Sequence, residues 1–379
     1  MSLALDEQQR QLQESAESFF AGKAPVRALR KLRDDNDETG FSRELWQQMC
    51  HMGWTGTFLS EAYGGLGLGF KELGIVVQAA GRTLSASPLF SSIALGASCL
   101  SLVGSEAQKA RLLPRLVNGE ELAALALQER AHHDPASIAT SATREGDAWL
   151  LSGCKCHVID GHTADVLIVV ARTSGSPRDE QGISLFLVEA GTPGVNVERR
   201  FMVDSRNMAQ VTFDKVLLDA DCLLGELNAG YTPLQMVLDR GNAVLSAEML
   251  GSALEAFERT VGYLKQREQF GVLIGTFQAL QHRAAQMFCE LEMSRSVVME
   301  ALRCADESPR QLALAASRAK VQMSETLRLV TDESIQMHGG IGMTDEEEIG
   351  FFLKRARVVQ QLLGDEHYHL NRFADLSDY

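Results

Sequence analysis

The chain has 379 residues, 45% hydrophobic and 23% charged, the balance of a soluble globular protein too long for one ordinary core, so two or three domains are expected. Its formal net charge of −14 disfavours binding nucleic acid across the whole surface. No apolar run reaches the ~18 residues of a membrane span, and Met1-Ser2-Leu3-Ala4-Leu5-Asp6 lacks the basic-then-apolar order of a secretion signal.

Residues 1–120 read as an N-terminal α-helical domain. Leu5–Phe20 and Phe41–Met52 carry amphipathic patterns, with Thr39 or Ser42 as candidate cap of the second. Glu61–Gly69 is a glycine-rich break before a helix over Phe70–Ala80. Its glycines do not form G-x-G-x-x-G, no strand precedes them and no Gly-Lys-Ser/Thr occurs, so a tight inter-helix loop is expected there. Residues 121–230 read as a middle β-barrel or sandwich domain. Short β-rich runs at Trp149–Leu151, Val166–Val170, Ile183–Val188, Val195–Val197 and Val211–Phe213 are punctuated by Gly, Pro and Asp. Arg172–Gln181 is polar and predicts a hairpin or loop. Residues 231–379 read as a C-terminal four-helix bundle. After Pro233 the only proline is Pro309, and helical periodicity predicts Asn242–Gln266, Phe277–Ala305, Arg310–Met337 and Glu346–Leu363. The fold class is multidomain α+β.

Two stretches end long helical runs with groups suited to a diphosphate. One is Arg267-Glu268-Gln269-Phe270-Gly271 with Phe277-Gln278; the other is Gln336-Met337-His338-Gly339-Gly340. The cation neutralises a diphosphate, the side-chain amides bond to it, and a Gly pair lets backbone approach closely. A charged helix end capped by Gly271 would explain the first stretch by itself. The order and spacing of both, beginning at Tyr263, resemble the acyl-CoA dehydrogenase family. So does the succession of α-domain, β-domain and α-bundle, which extends the resemblance to the whole chain.

That resemblance implies non-covalent FAD, with Arg267 and Gln269 on the diphosphate and Phe270, Phe277 and Gln278 around the adenosine end. Gln336, Met337, Gly339 and Gly340 would serve the neighbouring subunit's FAD, which implies a homodimer or homotetramer, or a hetero-oligomer with a homologous subunit. In the β-domain, the family's Gly-x-Lys-x-Trp-Ile-Thr-Asn-like stretch appears as Gly153-Cys154-Lys155-Cys156-His157-Val158-Ile159-Asp160. Val158 and Ile159 would then adjoin the flavin ring, and Ile159 replaces the hydroxyl residue at its N5 edge. Glu129 is kept from an earlier family stretch whose serine is lost in Gln128–Pro135. These departures resemble the branch acting on bulky steroid-side-chain or carnitine-type thioesters. A strand histidine such as His157 reads as packed against backbone, not catalytic.

Removing an α-proton from a thioester calls for a poised carboxylate. By resemblance, the usual glutamate position holds Leu363, followed by Gly364. A second family solution places Glu before Arg on the first bundle helix, where this chain has Gly241-Asn242. Both positions lack a carboxylate. Asp365 and Glu366 are the nearby catalytic candidates; Glu248 lies about 10 Å along the helix from Gly241. Asp239 matches a family residue near the CoA moiety. His367 and His369 read as a surface pair. The seven cysteines (50, 99, 154, 156, 222, 289 and 304) are odd in number and scattered. No metal site is expected, and reduced thiols in a cytoplasmic protein are the plain reading.

The activity implied is FAD-dependent α,β-dehydrogenation of a bulky or branched acyl-CoA in lipid or steroid catabolism, with an electron-transfer flavoprotein as acceptor. Two alternatives stay open: a base-less subunit of a hetero-oligomeric dehydrogenase, and a flavin-dependent monooxygenase on the same fold.

Overall fold

The computed structural model describes residues 5–379. The helix α1 (Glu7–Lys23) starts at a capping box, in which Asp6 accepts from Gln9 N and the Gln9 side chain returns to Asp6 N; such a cap contributes ~1 kcal/mol. After α2 (Val26–Asp34), Ser42 caps α3 (Arg43–His51). Thr39 is otherwise engaged, with its hydroxyl on Asp37 and the Phe41 carbonyl. The first two amides of α4 (Phe70–Arg82) bond to the Asp306 carboxylate. A π-helical segment, Leu89–Ala97, leads into α5 (Ser98–Val103) and then α6 (Glu106–Val117).

In the glycine-rich break, the amides of Gly64, Gly65, Leu66, Gly67 and Leu68 are spent on carbonyls of Glu61, Ser60, Gly56, Leu59 and Thr57. A phosphate cradle needs those donors free. The segment is a structural loop, as its glycine spacing predicts.

The sheet contains β1 (Ala123–Ala126), β2 (Ser141–Glu145), β3 (Ala148–Ile159), β4 (Val166–Arg172), β5 (Ile183–Glu189), β6 (Val195–Phe201), β7 (Asn207–Leu218) and β8 (Leu223–Leu224). Its order is β6-β7-β3-β2-β4-β5-β8, with β1 parallel to β4. Trp149, Leu151, Phe186, Val211 and Phe213 lie in its buried core, where the Trp149 and Phe186 rings meet edge-on at 5.5 Å. Sequence patterning underestimates β3 and misses β1. Alanines are weak strand formers, yet β1 is buried along its whole length and gains its order from β4. The polar loop after β4 is tied down by Arg172, whose guanidinium donates to carbonyls of Ile138, Ala136, Ser174, Asp179 and Gln181.

The helical C-terminal region holds α7 (Tyr231–Leu264), a hairpin of β9 (Glu268–Gln269) and β10 (Val272–Leu273), α8 (Gln278–Glu307), α9 (Pro309–His338), α10 (Ile349–Val359) and α11 (Glu366–Leu376). The predicted helix over Glu346–Leu363 is shorter than expected. Leu363 (φ 55°) and Gly364 (φ 107°) turn left-handed, which no α-helix tolerates, and Asp365 caps a new helix. Packing divides the chain into two compact units. One comprises the segment ending at Asp35, with Phe70–Ser85 and Asn242–Tyr379; the other comprises Asn36–Gly69 and Ala86–Gly241.

Candidate functional site

The diphosphate motifs are assembled at the end of α7. Backbone amides of Gln266 and Arg267 close on the Tyr263 carbonyl, ending the helix and releasing the hairpin. Phe270 and Gly271, at φ 57° and 75°, make the two-residue tip of that hairpin. Phe270 is 90% exposed, and its ring meets Phe277 at 6.3 Å. A large aromatic residue in a left-handed conformation and in water is costly on both counts. The Arg267 side chain is exposed and has no ionic or hydrogen-bonding partner among the described residues.

Tyr263 links this motif to the second one. Its ring stacks on His338 at 4.4 Å between centroids, and its hydroxyl donates to the His338 carbonyl. Gln336 is exposed, and Gly339 (φ 66°) and Gly340 have open space where a side chain would stand. The loop after them is clasped by Asp345, which accepts from Arg30 and bidentately from Arg33 at 2.7 Å. Arg33, more than the burial that opposes it, holds that carboxyl down at about 2. A free guanidinium, a Gln and a bare glycine pair on one tied block fit the diphosphate of a dinucleotide. Met337 is different: it is 5% exposed, so its side chain packs inward. Replacing Arg267 by alanine is expected to weaken FAD retention about ten- to hundred-fold on gel filtration, since a charged hydrogen bond contributes ~1.5–3 kcal/mol; unchanged retention would refute the assignment.

In the sheet, the two resembling stretches meet through an ion pair. Lys155, with no exposed surface, donates to Glu129 at 2.6 Å and to the Leu127 carbonyl at 3.1 Å. Glu129 also accepts from the amides of Ala139 and Thr140. Burial pushes Lys155 down to about 8, against the pull of Glu129. Burial also acts to raise Glu129, but Lys155 and Thr140 overcome it and hold its carboxyl below the usual range. Gly153 lies so near Thr140 that a Cβ would come within 2.5 Å of its hydroxyl. The register of β3 against β7 shifts between Lys155 and Val158, and His157 takes φ 52° in that bulge, a device that re-aims side chains. His157 is exposed, Val158 points into the sheet core and Ile159 is half-buried. His157 is therefore not packed as a regular strand position would be, and Val158 can present only backbone to a ligand.

Asn242 Nδ2 on α7 lies 3.4 Å from the Leu363 carbonyl, so the residue after Gly241 meets the turn carrying Leu363. The acidic groups nearby are engaged. Asp365 accepts from Tyr368 N as the cap of α11, and Glu366 sits in that helix's first turn, where a negative charge is favoured by the helix dipole. Glu248 is buried against Arg355, with N–O distances of 2.8 and 2.7 Å. Asp239 is buried on α7. The His367–His369 pair is split: His367 is exposed, whereas His369 is fully buried with Nε2 on the Leu363 carbonyl. No metal-binding group of His, Cys, Asp or Glu occurs among the described residues.

Known proteins with the same pattern decide the family. The chain matches the acyl-CoA dehydrogenase N-terminal domain over residues 6–120, the middle domain over 124–216 and the C-terminal domain over 228–376. This chain belongs to the acyl-CoA dehydrogenase family. It is 31% identical to mitochondrial isovaleryl-CoA dehydrogenase of Pongo abelii over 363 residues, 94% of this chain and 85% of that one. The butyryl-CoA dehydrogenase structure from Megasphaera elsdenii superposes with a TM-score of 0.92 at 27% identity, covering 100% of both chains. A variant of the Tcur3481–Tcur3483 steroid ACAD superposes at 0.88 with 31% identity, covering 98% of each. As a member of this family the protein is an FAD-dependent oxidoreductase acting on CH–CH donors. No helix among the described residues is long and apolar enough to cross a membrane.

The buried amines give the family member a pH signature. Burial lowers Lys320 to about 7 against the opposing charge of Asp365, and Lys155 to about 8. A lysine depressed in the folded state is protonated more fully in the unfolded chain. Above pH 7 the unfolded state therefore binds more protons, and stability rises with pH. Buried thiols such as Cys50, raised to about 11, oppose this only above their ordinary value of 9.0. The urea midpoint is expected to be higher at pH 8.5 than at pH 7, by ~1 kcal/mol or more of stability. A flat or falling midpoint would contradict it.

Proposed function

We propose that this chain serves the α,β-dehydrogenation of a bulky or branched acyl-CoA as the flavin-holding, base-less subunit of an oligomer, with the α-proton acceptor supplied by a homologous chain. The observation that carries this reading is that neither Leu363 nor Gly241, the two positions where the family resemblance places a base, is a carboxylate. Asp365 and Glu366 remain the candidates on this chain, and the capping bond of Asp365 weighs against it.

The chemistry that bound FAD would supply is a hydride acceptor for the β-carbon, with an electron-transfer flavoprotein as the proposed onward acceptor. The rest falls to this chain's side chains. Arg267, Gln269 and Gln336 neutralise and hydrogen-bond the diphosphate, while Phe270, Phe277 and Gln278 flank the adenosine. Gly339 and Gly340 admit it close to backbone. By the family resemblance, Val158 and Ile159 would border the ring, and Asp239 would lie toward the CoA moiety. The exposure of Phe270, Phe277 and the first half of α8 supports a covering subunit, and the two-protein steroid ACAD among the similar structures supports a homologous partner. Anaerobic flavin bleaching tests the proposal, using straight-chain, branched and steroid-side-chain acyl-CoAs. The isolated chain is expected to bleach slowly with all of them, and quickly with a bulky one once a homologous partner is added. Rapid bleaching of the isolated homo-oligomer would overturn the base-less assignment.

A further inference from the structure

The turn from Gln360 to Gly364 is held from three helices. Lys320 of α9 donates to the carbonyls of Gln360 (3.3 Å), Leu362 (2.7 Å) and Gly364 (2.6 Å). The carbonyl between the last two, that of Leu363, meets His369 Nε2 of α11 at 3.0 Å and Asn242 Nδ2 of α7 at 3.4 Å. We propose that Lys320, His369 and Asn242 are positioning residues that fix the backbone of Leu362–Gly364, and with it whatever stands at position 363, toward an acyl thioester. This deepens the proposed function, because it takes position 363 as the place of the base.

A lysine that merely caps a helix end lies at the surface and serves the last carbonyls. Lys320 has no exposed surface, and its acceptors lie on both sides of Leu363. Three acceptors and no donor surround Nζ and match the three N–H bonds of its ammonium form, which burial disfavours as pH rises. Taking such a cation out of water is expensive unless its partners are well placed. The turn itself is also strained, with Leu363 left-handed. At Gly364 a Cβ would come within 2.4 Å of the Tyr368 ring and 2.8 Å of His369 Nε2, so the turn and α11 are fitted together there. The second face of the neighbourhood is fixed too: His369 Nδ1 and Arg372 both meet the Ser317 hydroxyl on α9. Asp365, which carries the opposing charge, is immobilised as the α11 cap. Position 363 carries no carboxylate, while the groups that hold its backbone are all in place.

The test uses the full chain with FAD, isovaleryl-CoA as probe, and three readouts: FAD content, amide exchange of residues 360–366, and the probe's dissociation constant from flavin absorbance. Lys320→Met is expected to leave FAD content unchanged, speed exchange in 360–366 at least ten-fold and weaken the probe at least ten-fold. Placed in a Leu363→Glu background, it should cut flavin reduction at least ten-fold, and Lys320→Arg should restore part of both effects. Faster exchange or a lower melting temperature with unchanged probe affinity and reduction rate would reduce Lys320 to a structural cap and overturn the proposal. If Lys320→Met does not fold, Asn242→Ala, which releases the same turn from α7, is read by the same criteria. If Leu363→Glu gains no rate, the base position is wrong; the positioning role is then decided by probe affinity and exchange alone.

Discussion

Leu363→Glu is expected to raise flavin reduction by acyl-CoA in the isolated chain by ~10²–10⁴-fold, the usual worth of a positioned acid or base. Three features favour so large a gain. The backbone at 363 is already in its left-handed conformation, so a glutamate meets no strain that leucine does not. Its carbonyl is held by His369 and Asn242, so the new side chain starts from a fixed point. The site is half-buried, and partial desolvation raises a carboxylate's pKa toward the range useful for a base. Asp365→Asn should change little, because asparagine caps a helix as well as aspartate does. Stopped-flow bleaching under anaerobic conditions reads both variants. If Leu363→Glu stays as slow as the parent while Asp365→Asn abolishes a measurable parental rate, then Asp365 is the base and the turn has been misassigned.

Glu129→Ala is expected to cost ~3–5 kcal/mol of stability, the range for removing one partner of a buried ion pair. The loss leaves Lys155 without its counter-charge and the amides of Ala139 and Thr140 without an acceptor. Lys155 can escape part of the cost by shedding its proton, since burial already lowers it to about 8. The double variant Glu129→Gln with Lys155→Met should recover most of the loss, because an apolar replacement avoids burying any charge. Calorimetry of the chain with FAD in excess distinguishes the cases. A drop below ~1 kcal/mol for Glu129→Ala would mean that water reaches Lys155 and that the pair is not sealed.

The turn at Leu363 and the pair at Glu129 show how far residue patterns reach in this protein. Helical periodicity and the alternation of β-rich runs are local properties, and they carried the order of helical, sheet and helical regions. The family resemblance was legible because its two motifs are contiguous: Arg267 to Gly271 and Gln336 to Gly340 each end one helix and need no distant partner to be recognised. The Tyr263–His338 stack that joins them spans the length of two helices. No spacing rule connects Glu129 with Lys155, or Lys320 with three carbonyls some forty residues on. Those contacts exist because sheet pairing and helix packing bring remote segments together, and because burial forbids leaving their charges and carbonyls unmatched. The break in the last predicted helix has the same origin, since apolar periodicity runs through Leu362 and only the clasped, left-handed turn ends it. Residue identity alone carried the resemblance to FAD-dependent dehydrogenases and showed no carboxylate at Gly241 or Leu363. Tertiary structure decided that Asn242 meets the turn at Leu363, because only a folded chain brings together residues 121 positions apart.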